Sequence, residues 1–439
     1  MAASPSMIDA VEAVWRIPRP GPDNLLASPA FIALSERCKA EYGGGKPAFG
    51  LNTALRSLGL PCHLPANKAD LSLDPESAAN AIDEAYGRKT TLRRHLCPLD
   101  LADEMPFLSF GNARVAAFSA EDLARLFNAQ RLARYFRNQS LDAKRLAQFS
   151  WLVVEEEVAL DPRPEARATP FMQMTLDRDF GEIDPHLGRF PSAVERALFF
   201  LLLAPWERWS TVPEVDWRGF RLPWIYTVDD DLFIRPSPPP SADSLTLEPW
   251  IVEGDKGEDI ELERPTVLPL EDDASSGLLA LITDDAWKDL ETARATDLFE
   301  TPIEHFLVRA FLADGMDEVM AHMTVIEAAV GLEMDHKKKL RPKPEPHKTV
   351  SSATDRVAAR VAVVLDDPTS LQSYKDLFDL RSAFVHGRAG LQKVSTNQRV
   401  MARSLARGVA RGLVDLTLSG PKPRTDVLGD LLARGAQYL

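Results

Sequence analysis

The residue pattern predicts an α+β protein, in which a mixed α/β N-terminal region precedes an all-α helical bundle in the C-terminal third. Three observations carry this. Strand-like runs, Trp151–Val158 and Leu222–Ile234, lie among helical stretches in the first 235 residues. From Pro302 onward, apolar residues recur at spacings of three and four. Between the two parts, Pro236-Ser237-Pro238-Pro239-Pro240-Ser241 and the acidic, proline-punctuated stretch from Glu253 to Ser276 interrupt any continuous core. At 439 residues the chain exceeds one ordinary domain. The expected organisation is a partly mobile segment 1–40, a mixed α/β domain 41–235, a linker zone 236–283, a helical domain 284–420 and a tail 421–439.

In order along the chain, short helices are expected over Ile8–Arg16 and Pro29–Glu41, and a longer one over Ser77–Arg88. Gly43-Gly44-Gly45-Lys46-Pro47 has the look of a phosphate loop, but the glycines are unspaced and Pro47 stands where a Ser or Thr is required. Pro106–Phe118 reads as two short strands about the hairpin-type turn Gly111-Asn112. Ser119 with Asp122 reads as a capping pair opening a helix over Ala120–Phe127. Ser192–Ala204 is a buried helix ended by Pro205. Leu222–Ile234 reads as a β-hairpin turning on Asp229, Asp230 and Asp231. These acids suit a turn, since alternate side chains of a strand point apart and cannot share a cation. Glu155–Glu157 likewise suits a solvated strand end.

The C-terminal part lays out as an up-down bundle with one long loop. Pro302 starts a helix with Ile303, Phe306, Leu307, Ala310 and Phe311 on one stripe, and Gly315 breaks it. A second helix runs from Met316 to about Met334 with Val319, Met323, Ile326 and Val330 inward. Ser351 or Ser352 caps a third to about Leu365, Ser370 opens a fourth, and Ser395 or Thr396 opens a fifth reaching Leu418.

Composition excludes several classes. The longest apolar run, Ala197–Ala204, is too short to span a bilayer, and Met1–Pro5 lacks the basic and apolar regions of a secretory leader. Cys38, Cys62 and Cys97 are odd in number and show no CxxC spacing, which reads as reduced cytoplasmic thiols. A zinc site from Cys62, His63, His95 and Cys97 is disfavoured because adjacent ligands give poor tetrahedral geometry. His305 and His322, beside apolar neighbours, read as packing or surface residues. The net charge of −14 is uneven: residues 301–439 hold 20 Lys and Arg against 16 Asp and Glu, while the first 300 hold 31 against 49. The sharpest basic run spans His336–Lys348, with Lys337, Lys338, Lys339, Arg341 and Lys343, and its three prolines forbid a regular helix. It reads either as a solvated interhelical loop or as an arm that attracts phosphates.

The stretch with chemical content is Asp379-Leu380-Arg381-Ser382-Ala383-Phe384-Val385-His386-Gly387. Four residues separate Arg381 from His386, and Gly387 can adopt the left-handed conformation that closes a helix. An imidazole ordinarily titrates near neutrality, so one at a helix tip suits acid or base work. Spacing alone is a weak signal, because Arg–His pairs with four to six intervening residues occur four times: Arg56 and His63, Arg88 and His95, Arg341 and His347, Arg381 and His386. Context separates the last pair: a helix with Leu377, Leu380 and Phe384 on one stripe, then His-Gly at its terminus.

Together with Glu327 in Val325–Glu333, this stretch resembles the HEPN superfamily, particularly its Apea-like branch, over about Thr301 to Leu418. The resemblance implies a homodimer in which two motifs meet and cleave RNA without a metal or other cofactor. His386 would be the acid/base group and Arg381 the phosphate clamp. Ser382 takes the place where relatives often carry Asn or Asp, and Glu327 that of an acid able to orient Arg or His; an ordinary surface ion pair explains Glu327 as well. Arg388, with the lysines of the basic loop, would contact the RNA backbone. The expected role is an anti-phage defence or toxin effector answering a phage or regulatory trigger. The rival expectation is a non-catalytic HEPN dimerisation or nucleotide-binding module. Helix geometry adds a constraint: positions five apart lie about 140° apart around the axis, so Arg381 and His386 do not share a face, whereas Ser382 and His386 do.

Overall fold

A computed structural model describes residues 2–169, 188–253, 258–336, 350, 352–387, 393–418, 420 and 422–439. The protein is α+β, with helices dominating and a small antiparallel component. Among the described residues no helix is long and apolar enough to cross a membrane. The strands are β1 (Thr90–Leu99), β2 (Leu108–Phe110), β3 (Ala113–Ala117), β4 (Ser150–Ala159), β5 (Tyr226–Asp229), β6 (Leu247–Glu253) and β7 (Asp259–Pro265). Two compact units are each assembled from three stretches of chain. One comprises Met1–Pro98, Ala117–Ile183 and Pro223–Arg264; the other comprises Leu99–Ala116, Asp184–Leu222 and Pro265–Leu439. The division therefore differs from a simple succession of domains.

In the first unit, the expected mobile start is packed from Pro5 onward. Helices Pro5–Trp15 and Pro29–Tyr42, each with a serine cap before its proline, bury Met7, Val11, Val14, Phe31 and Leu34. The helix Phe49–Ser57 has no capping side chain of its own; Glu165 supplies one from a distance, accepting from the amides of Ala48 at 2.7 Å and Gly50 at 2.9 Å. β1 lies between β4 and β5. It pairs antiparallel with β5, Leu96 opposite Tyr226 and Arg93 opposite Asp229. The expected hairpin over Leu222–Ile234 is thus corrected: only Tyr226–Asp229 is strand, and its partner is β1. Asp229 and Asp230 serve as counter-ions to Arg93 (3.1 Å) and Arg94 (2.9 Å). Arg131 then ties the following turn by donating to the carbonyls of Asp229, Asp231 and Ile234. The linker zone is also more ordered than expected, since β6 and β7 pair as a two-stranded sheet.

The second unit holds the β2–β3 hairpin and the helical bundle. Its helices are Ile303–Leu312, Gly315–Val330, Ala353–Val364 capped by Ser352, Ser370–Val385, and Thr396–Thr417 with a capping box between Ser395 and Gln398; they follow the sequence except that the second, expected to reach about Met334, stops at Val330 before Gly331, and Glu333–His336 forms a separate turn of helix. The expected tail is instead a further helix, Arg424–Gly435, whose Leu428, Leu431 and Leu432 are buried. The segment Ser192–Leu222 belongs to this unit through charge as well as apolar contact. Glu207 is buried and accepts from Arg407 at 2.6 Å, with Arg403 3.4 Å away. Buried Arg218 donates to the Phe311 carbonyl at 2.8 Å and to Asp314 at 2.6 Å.

Candidate functional site

The helix Ser370–Val385 is positioned by its apolar side, where Tyr374 and Leu377 are fully buried. At its end the His386 amide donates to the Ser382 carbonyl at 3.0 Å and the Gly387 amide to the Phe384 carbonyl at 3.2 Å. Gly387 then takes φ +58°, a conformation that costs a glycine little and stops the helix. His386 is left exposed on the tip, with Phe384 43% and Val385 53% exposed beside it. The expected apolar stripe therefore ends early: Leu377 is core, Leu380 is half-buried, and Phe384 faces outward.

Arg381 turns the other way. Its Nη1 lies 3.5 Å from Glu327 Oε1 on the helix Gly315–Val330, and its guanidinium carbon is 5.7 Å from the Phe378 ring centroid. Burial pushes the Glu327 carboxyl above its ordinary range, while the charges of Arg381 and His336 pull it back. The Tyr374 phenol is raised as well, by burial first and then by Glu327. Among the described residues, Arg381 Nε and the Tyr374 hydroxyl have no hydrogen-bond partner. The arrangement is a half-buried carboxylate that fixes one side of a guanidinium and leaves another of its N–H groups to donate.

Of the residues singled out in sequence, the structure brings together Arg381 and Glu327. It does not join Arg381 to His386: among the described residues no hydrogen bond or ion pair links them, as five-residue spacing requires. Ser382 is half-buried and offers His386 its backbone carbonyl. Lys337, Lys338, Lys339, Arg341, Lys343 and Arg388 lie outside the described residues. Tyr374 and Phe378 are the surroundings that sequence reasoning missed; they precede Arg381 by seven and three positions, a helical spacing that placed them near it.

The other candidate positions are absorbed by ion pairs. Glu155 and Glu156 face Arg94 (3.4 Å) and Arg93 (3.6 Å), and Asp231 is buried 3.4 Å from Arg167. His95 sits buried between Thr227 and Glu156, and Lys46 of the glycine run pairs with Glu36. His322 is buried, its Nδ1 4.0 Å from Glu318. Among the described residues no three His, Cys, Asp or Glu side chains are grouped as a metal site. No protein-family model, curated protein or solved structure matches the chain.

Proposed function

We propose that the chain is a metal-independent endoribonuclease of HEPN type that works as a homodimer, in an anti-phage defence or toxin role. The observation that carries this reading is the pairing of Arg381 with Glu327 on one side of a helix whose exposed tip presents His386. Cleavage by the ribose 2′-hydroxyl needs a base for that proton, an acid for the departing 5′-oxygen and a cation on the phosphorane. One chain offers one imidazole. A second copy supplies the other, so one His386 takes the 2′-hydroxyl proton and its mate protonates the leaving oxygen. Arg381, oriented by Glu327, donates to the non-bridging phosphate oxygens. Exposed Phe384 and Val385 beside His386 supply the apolar contact such a pairing requires.

The test is incubation of the purified protein with mixed RNA in EDTA. Products ending in 2′,3′-cyclic phosphate are expected, with the rate falling by about 10²–10⁴ in His386→Ala and by about 10²–10³ in Arg381→Ala. The second reading, a non-catalytic dimerisation or nucleotide-binding module, draws on Ser382 and on the prior claim of Glu327 on Arg381. Intact RNA alongside nucleotide binding that is lost in Arg381→Ala would favour it.

A further inference from the structure

Among the described residues, three arginines of the first unit, Arg56, Arg137 and Arg235, have no acid in an ion pair with them. Two cavities share Arg235. The larger, about 440 Å³, is walled by Phe127, Leu132, Tyr226 and Val228 and bears Arg131, Arg167 and the ion pair of Arg93 with Asp229. The smaller, about 290 Å³, holds Arg56, Arg137 and Arg235 with Tyr135, Asn138 and Gln139. The guanidinium carbons of Arg56 and Arg235 lie 5.1 and 5.9 Å from the Tyr135 ring centroid, so one ring carries two cations.

Charge accounting separates these groups from the structural arginines nearby. Arg131 is spent within the fold, donating to the Ser57 hydroxyl and to three carbonyls. Arg56, Arg137 and Arg235 have no carboxylate within ion-pair distance among the described residues. Arg137 instead donates to His63 Nδ1 at 2.8 Å. Burial, then the charges of Arg56 and Arg137, hold that imidazole down to about 4, which keeps it neutral and able to accept. Arg167, in the wall of the larger cavity, has a side chain only 2% exposed. Its Nε donates to the Asp161 carbonyl and its Nη1 to the Ala85 carbonyl and, at 3.4 Å, to the buried Asp231 carboxylate, while its Nη2 has no hydrogen-bond partner among the described residues. Arg137 and Arg235 are exposed and Arg56 is half-buried, so their guanidinium forks stand open to an anion arriving from solvent.

We propose that the two cavities together form a nucleotide-binding site, the base lying against the apolar walls of the larger and the phosphates meeting Arg56, Arg137 and Arg235, with Arg167 donating from within. Guanidinium forks match phosphate oxygens two at a time, and the volumes suit a small molecule of this class. The site is separate from Arg381 and His386 and does not depend on their role.

Isothermal titration of the full chain with ATP and with GTP, against adenosine and inorganic pyrophosphate, tests this. At least one nucleotide is expected to bind in the micromolar range or tighter, with its nucleoside or pyrophosphate part at least about tenfold weaker. The double variant Arg56→Ala/Arg235→Ala, whose removed side chains donate no hydrogen bond among the described residues, is expected to weaken binding at least about tenfold while still unfolding cooperatively, with a melting temperature lowered by no more than the loss of two cation–π contacts on Tyr135 allows; Arg137→Ala alone weakens it in the same direction. Arg381→Ala is expected to bind as the native chain does. Failure of both nucleotides to bind, binding unmoved by the double variant, or pyrophosphate binding as tightly as the nucleotide would overturn the proposal. Binding lost in Arg381→Ala but kept in the double variant would move the nucleotide to the other unit.

Discussion

Arg381 and Glu327 form a pair whose two members constrain each other's chemistry. Glu327 is largely withdrawn from water, which raises its carboxyl, and Arg381 is the first of the charges that offset this. Removing the cation leaves the burial, so in Arg381→Ala the Glu327 carboxyl is expected to titrate at a higher pH than in the native chain, as read by ¹³C NMR of the glutamate carboxyls. The sign for stability follows. The folded value stands above the ordinary 4.5, so the folded state holds this proton more tightly than the unfolded one. That contribution is fully present below the unfolded value and is lost as pH rises through the folded one. Glu327→Gln is expected to remove this decline, measured as a smaller difference in urea-unfolding free energy between pH 5 and pH 8. An unchanged difference would place the titration elsewhere.

At the level of whole helices, the buried Glu207 decides whether Ser192–Leu222 stays with the bundle. Its side chain is 1% exposed and faces Arg403 and Arg407 from the helix Thr396–Thr417. Glu207→Gln removes the carboxylate that the buried Arg407 and Arg403 guanidiniums share, leaving Arg403 only the more distant Glu318, and is expected to cost about 3–5 kcal/mol in urea unfolding, the range for breaking one partner from a buried pair. This network marks the limit of what was legible. The caps Ser352, Ser395 and Ser119 and the three-and-four stripes located the helices, because capping and amphipathicity are local. The turn Gly111-Asn112 likewise announced β2 and β3. β1 escaped because Arg93 and Arg94 interrupt its alternation, and their acids lie more than sixty residues away, at Glu155, Glu156, Asp229 and Asp230. The partners of Arg403 and Arg407 were illegible for the same reason, since nothing near them in sequence names Glu207. Of the candidate site, the helix end at His386-Gly387 and the Arg381–Glu327 contact were readable. The outward turn of Phe384 was not, because a stripe does not say where a neighbouring helix stops.

For the molecule as a whole, catalysis by the proposed route is a property of two chains. A single copy has its imidazole exposed and its guanidinium turned aside, so activity is expected to follow the dimer. Phe384→Asp/Val385→Asp places charge in the apolar contact proposed beside His386, and both side chains are exposed, so folding is expected to survive. A monomer in analytical ultracentrifugation, with RNA cleavage lost in parallel, is the expected outcome; an active monomer would refute the two-chain mechanism.

The second unit draws its parts from Leu99 to the helix Arg424–Gly435, whose leucines close its core. During translation those parts leave the ribosome far apart in time, and the helix carrying Arg381 and His386 emerges before Arg424–Gly435, which packs on Ala353–Val364. A nascent chain therefore holds Arg381 and His386 on an unfinished scaffold until synthesis has passed Gly435.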